Sequence, residues 1–283
     1  EYVRPRIFDY STSYINPYVS MEYYAYHTVH ELFLYGDLTL QQWIDIFNRI
    51  RFVCDDFKRY TVQDAGIRSA LEEMYLTKTL QRFEKMKKDE RFITFFESPI
   101  VVNGKRYLPL NEIIIALEKA IPEMLYDVDT FNIIHGDLCF ANIMVDSNFS
   151  FIKVIDPRGK FGTYDIYGDF RYELAKLFHS VDGKYDFIIK DLFDLNYNSE
   201  AACINYRIQD RKREFDLYKV FLSTFATEID SDLKKIELIE ALLFLSMIPL
   251  HGESIRHQMV MLGTGLEILN RVIDIQIGEK KDV

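Results

Sequence analysis

Residues 133–159 read IIHGDLCFANIMVDSNFSFIKVIDPRG. FNII at its upstream edge, then NIMVD and FSFIKVID, are short β-branched pieces separated by turn residues, the pattern of small strands. A strand displays alternate side chains on opposite faces, so the polar residues of the turn between FNII and NIMVD gather at its mouth. Asp137 and Asn142, five residues apart across that turn, can converge on one point. Asp156 ends the neighbouring strand FIKVID and is expected to face the same way. Two side-chain oxygens plus a further carboxylate suit a hard divalent cation. Mg²⁺ takes one or two carboxylates and keeps places for phosphates and water. An Asp beside such an ion can orient a hydroxyl for attack on a phosphoryl group.

The 283-residue chain around this stretch is long enough to bury a substantial core, as one large domain or two smaller ones. At 48% hydrophobic and 28% charged residues it has the profile of a globular protein rather than a disordered one. The 22 Phe and 19 Tyr, against one Trp, read as a Phe-rich core with Tyr at its rim. A net charge of −10 argues against a general nucleic-acid binder, which needs a basic stripe, and is compatible with a cationic or neutral small substrate. Cys54, Cys139 and Cys203 are far apart with no CxxC, which argues against a disulfide framework or zinc site and for a reducing, cytoplasmic setting. The longest apolar run, ALLFLSMIPL at 241–250, is shorter than the about 20 residues a membrane span takes. The opening EYVRPRIFDY carries no basic-then-apolar signal, and a start at Glu1 rather than Met implies polypeptide upstream.

Along the chain, residues 1–20 read as loop leading into an extended segment, PYVSMEYYAY. Thr39 and Gln42 form a capping-box pair. Leu40, Trp43, Ile44, Phe47, Ile50, Cys54 and Phe57 then recur at helical spacing. A second helical stretch is predicted over 64–88, a hairpin or loop at the Asn-Gly of SPIVVNGKRYLPL, and a helix over 111–125. After the small strands, Phe170, Leu174, Leu177, Phe178 and Val181 share a helix face stopped by Gly183. Residues 206–275 read as three further helices.

H-G-D-x-x-x-x-N, an Asp 14 residues later at a strand end, and then GDFRYELAKL resembles the catalytic core of the aminoglycoside phosphotransferase and choline kinase family. That family is related in fold to the protein kinases. The resemblance implies an α+β, protein-kinase-like fold. Residues 1–25 would be the end of an N-terminal lobe and hinge, and residues 26–283 a helical C-terminal lobe with a small β insert. It implies Asp137 as the catalytic residue, Asn142 and Asp156 as Mg²⁺ ligands, and His135 as a brace for the loop. In PYVSMEYYAY it implies Met21 at the gatekeeper position, with the backbones of Glu22 and Tyr24 meeting the adenine of ATP. Asp169 would cap the following helix. Arg158 would contact a nucleotide phosphate, a part Lys160 could share. Asp165, Glu173, His251 and Glu253, with His257 nearby, would be candidates for the acceptor. IDPRGKFGTYDIYGD also resembles bacterial members that accompany nucleotidyltransferases in surface-polysaccharide synthesis.

The resemblance stops short of the N-terminal lobe. No G-x-G-x-x-G or Walker-type loop is present, and the first Lys is Lys58, beyond the hinge segment. Three expectations follow. The first is an ATP- and Mg²⁺-dependent kinase acting on a hydroxyl of a sugar or an amino alcohol such as choline, completed by an upstream partner or lobe. The second is a catalytically weak, kinase-like binding module. The third, a metallohydrolase built on His135 and Asp137, is disfavoured because only six His are scattered through the chain.

Overall fold

The computed structural model describes residues 3–278. β1 (Ile7–Ser11) and β2 (Tyr18–Met21) pair as an antiparallel hairpin, so the extended segment is a strand. β3 (His27–Thr28) runs into α1 (Val29–Tyr35), where Thr28 and Glu31 make a capping box. α2 (Leu40–Lys58) starts on the capping box expected at Thr39 and Gln42. Its buried stripe is Trp43, Ile46, Phe47, Ile50, Val53 and Cys54, whereas Leu40 is exposed. The face is thus rotated from the predicted one, because the core lies to the side that Ile46 and Val53 share with Trp43 and Ile50.

β4 (Thr61–Val62) precedes α3 (Ile67–Leu71), which passes through a π-helical turn, Glu72–Thr77, into α4 (Lys78–Lys87). The single helix predicted over 64–88 is therefore interrupted by a wide turn, a feature that often marks functional sites. After α5 (Ile93–Glu97), β5 (Ile100–Val102) and β6 (Lys105–Tyr107) form the Asn-Gly hairpin, with Asn103 and Gly104 at φ 50° and 82°. α6 (Leu110–Leu125) follows. β7 (Phe131–Ile133), β8 (Ile143–Val145) and β9 (Ile152–Val154) are the small strands read from the sequence. β10 (Tyr167–Gly168) leads to α7 (Phe170–Val181) and α8 (Tyr185–Ile188).

β11 (Phe193–Asn198) and β12 (Cys203–Ile208) form a hairpin that the helical reading of the C-terminal part did not include, with Tyr206 in a strand. β12 pairs in parallel with β5, giving the sheet order β11-β12-β5-β6. Most of the hairpin's residues are half-buried or exposed, so its stability comes from a partner strand a hundred residues away that no local pattern reveals. α9 (Leu217–Thr224), α10 (Ala226–Ile229), α11 (Leu233–Met247) and α12 (Ile255–Leu269) complete the chain.

The loop that carries HGD sits between two three-stranded sheets, β10-β7-β4 and β3-β8-β9. Beneath it runs α7, which packs on α11 and is buried from Arg171 to Val181 on every side. Its apolar face holds Leu174, Leu177, Phe178 and Val181. Arg171, Glu173, Lys176 and His179 are buried with them. Buried charges require partners, and two of these four, Glu173 and Lys176, find theirs in the loop that carries Asp137.

Candidate active site

The HGD loop lies along α7. Both oxygens of Glu173 accept backbone N–H groups of the loop, from His135 at 2.7 Å and Gly136 at 2.9 Å. One turn on, the Lys176 ammonium lies 2.8 Å from Asp137 Oδ1. A further turn on, Ser180 Oγ accepts the Phe140 N–H at 3.3 Å. Residues 173, 176 and 180 fall on one helix face, so a single rigid element sets the position of four loop residues. Gly136 takes φ 76°, and a Cβ there would meet the Arg158 side chain at 3.0 Å. That combination of left-handed backbone and close approach accounts for the Gly of HGD.

The far side of the loop is tied to β9. His135 Nε2 donates to the Ile155 carbonyl at 2.9 Å, and the Arg158 N–H donates to the His135 carbonyl at 2.9 Å. Burial pushes the His135 pKa down, so the neutral ring braces the loop as a single donor. β8 and β9 pair with Ile143 opposite Val154, and the Ile155 N–H reaches the Asn142 carbonyl at 3.0 Å. This ladder sets Asn142 and Asp156 next to each other at the strand ends. Asp156 is exposed and held at φ 57°, a left-handed conformation that Asp tolerates better than most residues.

Asp137 is therefore gripped from two sides. Oδ1 faces Lys176, and Oδ2 accepts the Asn142 side-chain amide at 3.2 Å, while the same amide donates to the Asp137 carbonyl at 2.9 Å. With its NH₂ so engaged, Asn142 keeps its amide oxygen for another partner. An amide oxygen and an exposed carboxylate form a hard, all-oxygen donor set that fits Mg²⁺ better than a softer metal. Lys176 had no part in the sequence reading. Burial alone would push its ammonium down, but Tyr172 and Asp137 outweigh burial and hold it above the ordinary Lys value. The signal was present as Glu173 and Lys176 one turn apart just after the GD pair, though nothing local says which face of α7 meets the loop.

Asp169 is buried and caps α7, accepting the Arg171 N–H at 2.9 Å and the Tyr75 hydroxyl at 2.9 Å. The Arg171 guanidinium closes on the same carboxylate and on Asp127. Glu173 corrects the acceptor expectation: it is 0% exposed and spends both oxygens on the loop, so no acceptor can reach it. Asp165 is exposed beside Ile166, whose carbonyl takes the Ile134 N–H at 3.0 Å. His251, Glu253 and His257 bring ligand atoms within 4.8 Å of one another, a grouping with metal-holding geometry. No hydrogen bond joins it to the HGD loop among the described residues. In the segment expected to be the hinge, Met21 is exposed, the Glu22 N–H donates to the Arg6 carbonyl at 2.8 Å, and Tyr24 stacks on Tyr26 with 5.3 Å between ring centroids.

No protein-family model matches the chain, and no curated protein matches it. Among solved structures, a choline kinase from Cryptosporidium parvum is similar to it, with a TM-score of 0.41 and 12% identity over 95% of this chain and 73% of that one. A likeness of this strength carries no argument about the reaction, which has to come from the residues.

Glu173 supplies a test of the brace. Burial pushes its carboxyl from 4.5 up to about 7, against the pull of the two N–H donors. A carboxyl whose pKa is raised by folding stabilises the protein while protonated in both states, and that contribution fades as pH rises from the unfolded value through the folded one. The loss is on the order of 3 kcal/mol at 1.36 kcal/mol per pKa unit. Glu173→Gln removes the titration. Denaturant unfolding of this variant at a series of pH values between about 5 and 8 should show a flatter stability profile than wild type. Parallel profiles would assign the titration to another group.

Proposed function

We propose that this chain transfers the γ-phosphoryl group of ATP to a hydroxyl of a small molecule, a sugar or an amino alcohol such as choline, with Mg²⁺ as cofactor. The observation that carries the reading is the double grip on Asp137 by Lys176 and Asn142, with Asp156 set beside Asn142 by the β8–β9 ladder. Asp137 orients the acceptor hydroxyl and takes up its proton. Asn142 and Asp156 would hold Mg²⁺, which neutralises charge on the nucleotide phosphates, and positioning of the reactants supplies most of the acceleration. The backbones of Glu22 and Tyr24, beside Met21 at the end of β2, would meet the adenine. A place in surface-polysaccharide synthesis suits this reading. So does a cytoplasmic setting, where ATP is supplied. No helix among the described residues is long and apolar enough to cross a membrane.

Calorimetric titration of Mg·ATP into the protein tests the metal–nucleotide half of the proposal. Wild type should bind, and Asp156→Ala should bind more weakly by roughly tenfold or more, since loss of even a supporting partner of a metal ligand costs that much. Equal binding by the two proteins would remove Asp156 from the site. Binding without turnover on any hydroxyl acceptor would favour a kinase-like binding module instead.

A further inference from the structure

A group of cations lies on the side of Asp137 away from Asn142. Lys78 opens α4, immediately after the π-helical turn, and lines a small pocket with Tyr75, Tyr172 and Ser246, floored by Leu242 and Leu243 of α11. Arg82 follows Lys78 by one helical turn on the same face. The Arg158 guanidinium donates to the Tyr172 hydroxyl at 2.8 Å from the pocket's other edge. Arg158 also packs against Gly136, so the pocket abuts the catalytic loop. Lys176, one turn beyond Tyr172, completes the group through its contact with Asp137.

Three of these four charges lack a counter-ion among the described residues. Lys176 alone has a carboxylate within ion-pair distance; among the described residues Lys78, Arg82 and Arg158 have none. Burial first, and then the charges of Arg158, Arg82 and Lys176, push the Lys78 ammonium down to about 8, while Glu73 offers a weaker opposing pull. A chain with net charge −10 has ample carboxylates for such a cluster, yet among the described residues none is within ion-pair distance of Lys78, Arg82 or Arg158. Convergent like charges cost stability unless an anion offsets them. The π-helical turn sets Tyr75 on Asp169 and starts α4 at Lys78, so the turn that interrupts the helix also builds the pocket wall.

We propose that the Lys78 pocket, with Arg82 one turn along α4 and Arg158 on the Tyr172 hydroxyl at its edge, binds an anionic group, a phosphate or carboxylate, carried by the acceptor. The inference rests on the phosphotransfer reading and narrows it: the acceptor is a phosphorylated or acidic sugar or polyol rather than a cationic amino alcohol. Asp137 divides the two subsites. Its Oδ2 faces Asn142 and the metal side, and its Oδ1 faces Lys176 and the cationic side. A hydroxyl a few bonds from the bound anion would then reach Asp137 from the side opposite the nucleotide. The pocket admits only a small group, so the anion's oxygens enter while the remainder of the acceptor stays toward the loop.

Inorganic phosphate is the probe, followed by line broadening of its phosphorus NMR signal with the whole chain. Wild type should broaden the signal. Lys78→Gln should weaken phosphate binding by roughly tenfold or more, the size expected for one lost charge-assisted contact. Lys78→Arg should restore it, and saturating Mg·ATP should leave it in place. Undiminished binding in Lys78→Gln, or no broadening in wild type, overturns the proposal. Displacement by Mg·ATP overturns the acceptor assignment and gives the cations to the nucleotide phosphates. If Lys78→Gln fails to fold, Arg82→Gln, one helical turn along α4, is read in its place. Asp156→Ala should keep phosphate binding, so a failed Mg·ATP titration and a failed phosphate titration are told apart.

Discussion

Asp137→Asn is expected to lower turnover by about 10³-fold while the fold persists, since a positioned proton acceptor contributes roughly 10²–10⁴. The amide keeps the shape of the carboxylate and can still meet Asn142, but it cannot take a proton from the acceptor hydroxyl. It also removes the counter-charge from Lys176, which is buried. Breaking a fully buried pair costs about 3–5 kcal/mol. Asp137 is 37% exposed, so solvent screens part of the loss and about 1–3 kcal/mol is expected. The two effects are separable. Adding Lys176→Met to Asp137→Asn should recover much of the stability and none of the turnover. Initial rates with Mg·ATP and thermal unfolding of the same preparations read both. Turnover within a few-fold of wild type would mean that Asp137 is not the proton acceptor.

Asp169→Ala should be the most destabilising single change around the site, by about 3–5 kcal/mol, because it strips a buried Arg of its closest charge and removes a helix cap together. Arg171 contacts the Asp169 carboxylate through Nε at 3.0 Å and Nη2 at 2.8 Å, and only 6% of it is exposed. In the variant it would keep Asp127 and the Leu125 carbonyl. Tyr75 would lose its hydroxyl partner, and the first turn of α7 its cap. At roughly 2–4 °C per kcal/mol for a chain of this size, the melting temperature should fall by about 10 °C. Turnover should fall too, because α7 carries the Glu173 and Lys176 that hold the HGD loop. Asp169→Asn, which keeps the cap and one acceptor, should lie between. A loss below about 1 kcal/mol for the Ala variant would show that the pair does not anchor α7.

Much of the site's frame is local, and local features are legible in a sequence. Thr39 and Gln42 announced the start of α2 because a capping box is completed within four residues. The Asn103-Gly104 hairpin was legible because only such residues adopt its turn without strain. The meeting of Asp137 with Asn142 is likewise a property of one strand-turn-strand unit. Other features depend on what lies across the core. The burial pattern of α2 rotated onto Ile46 and Val53. β11 and β12 were missed because their partner, β5, is distant in the chain. The π-helical turn at Glu72–Thr77 leaves no mark in the helical period on either side.

By itself, the sequence determined the small strands, the turn that carries HGD, and the spacing that brings a carboxylate and an amide together, since each is settled by backbone sterics over a few residues. Only the tertiary structure decided that Glu173 braces the loop rather than facing an acceptor, that Lys176 partners Asp137, and that Lys78, Arg82 and Arg158 have no carboxylate within ion-pair distance among the described residues. Those three outcomes follow from how α7 and α4 are rotated in the core. A helix buried on all sides must direct its charged side chains to the partners the packing provides, and such partners can lie anywhere in the chain.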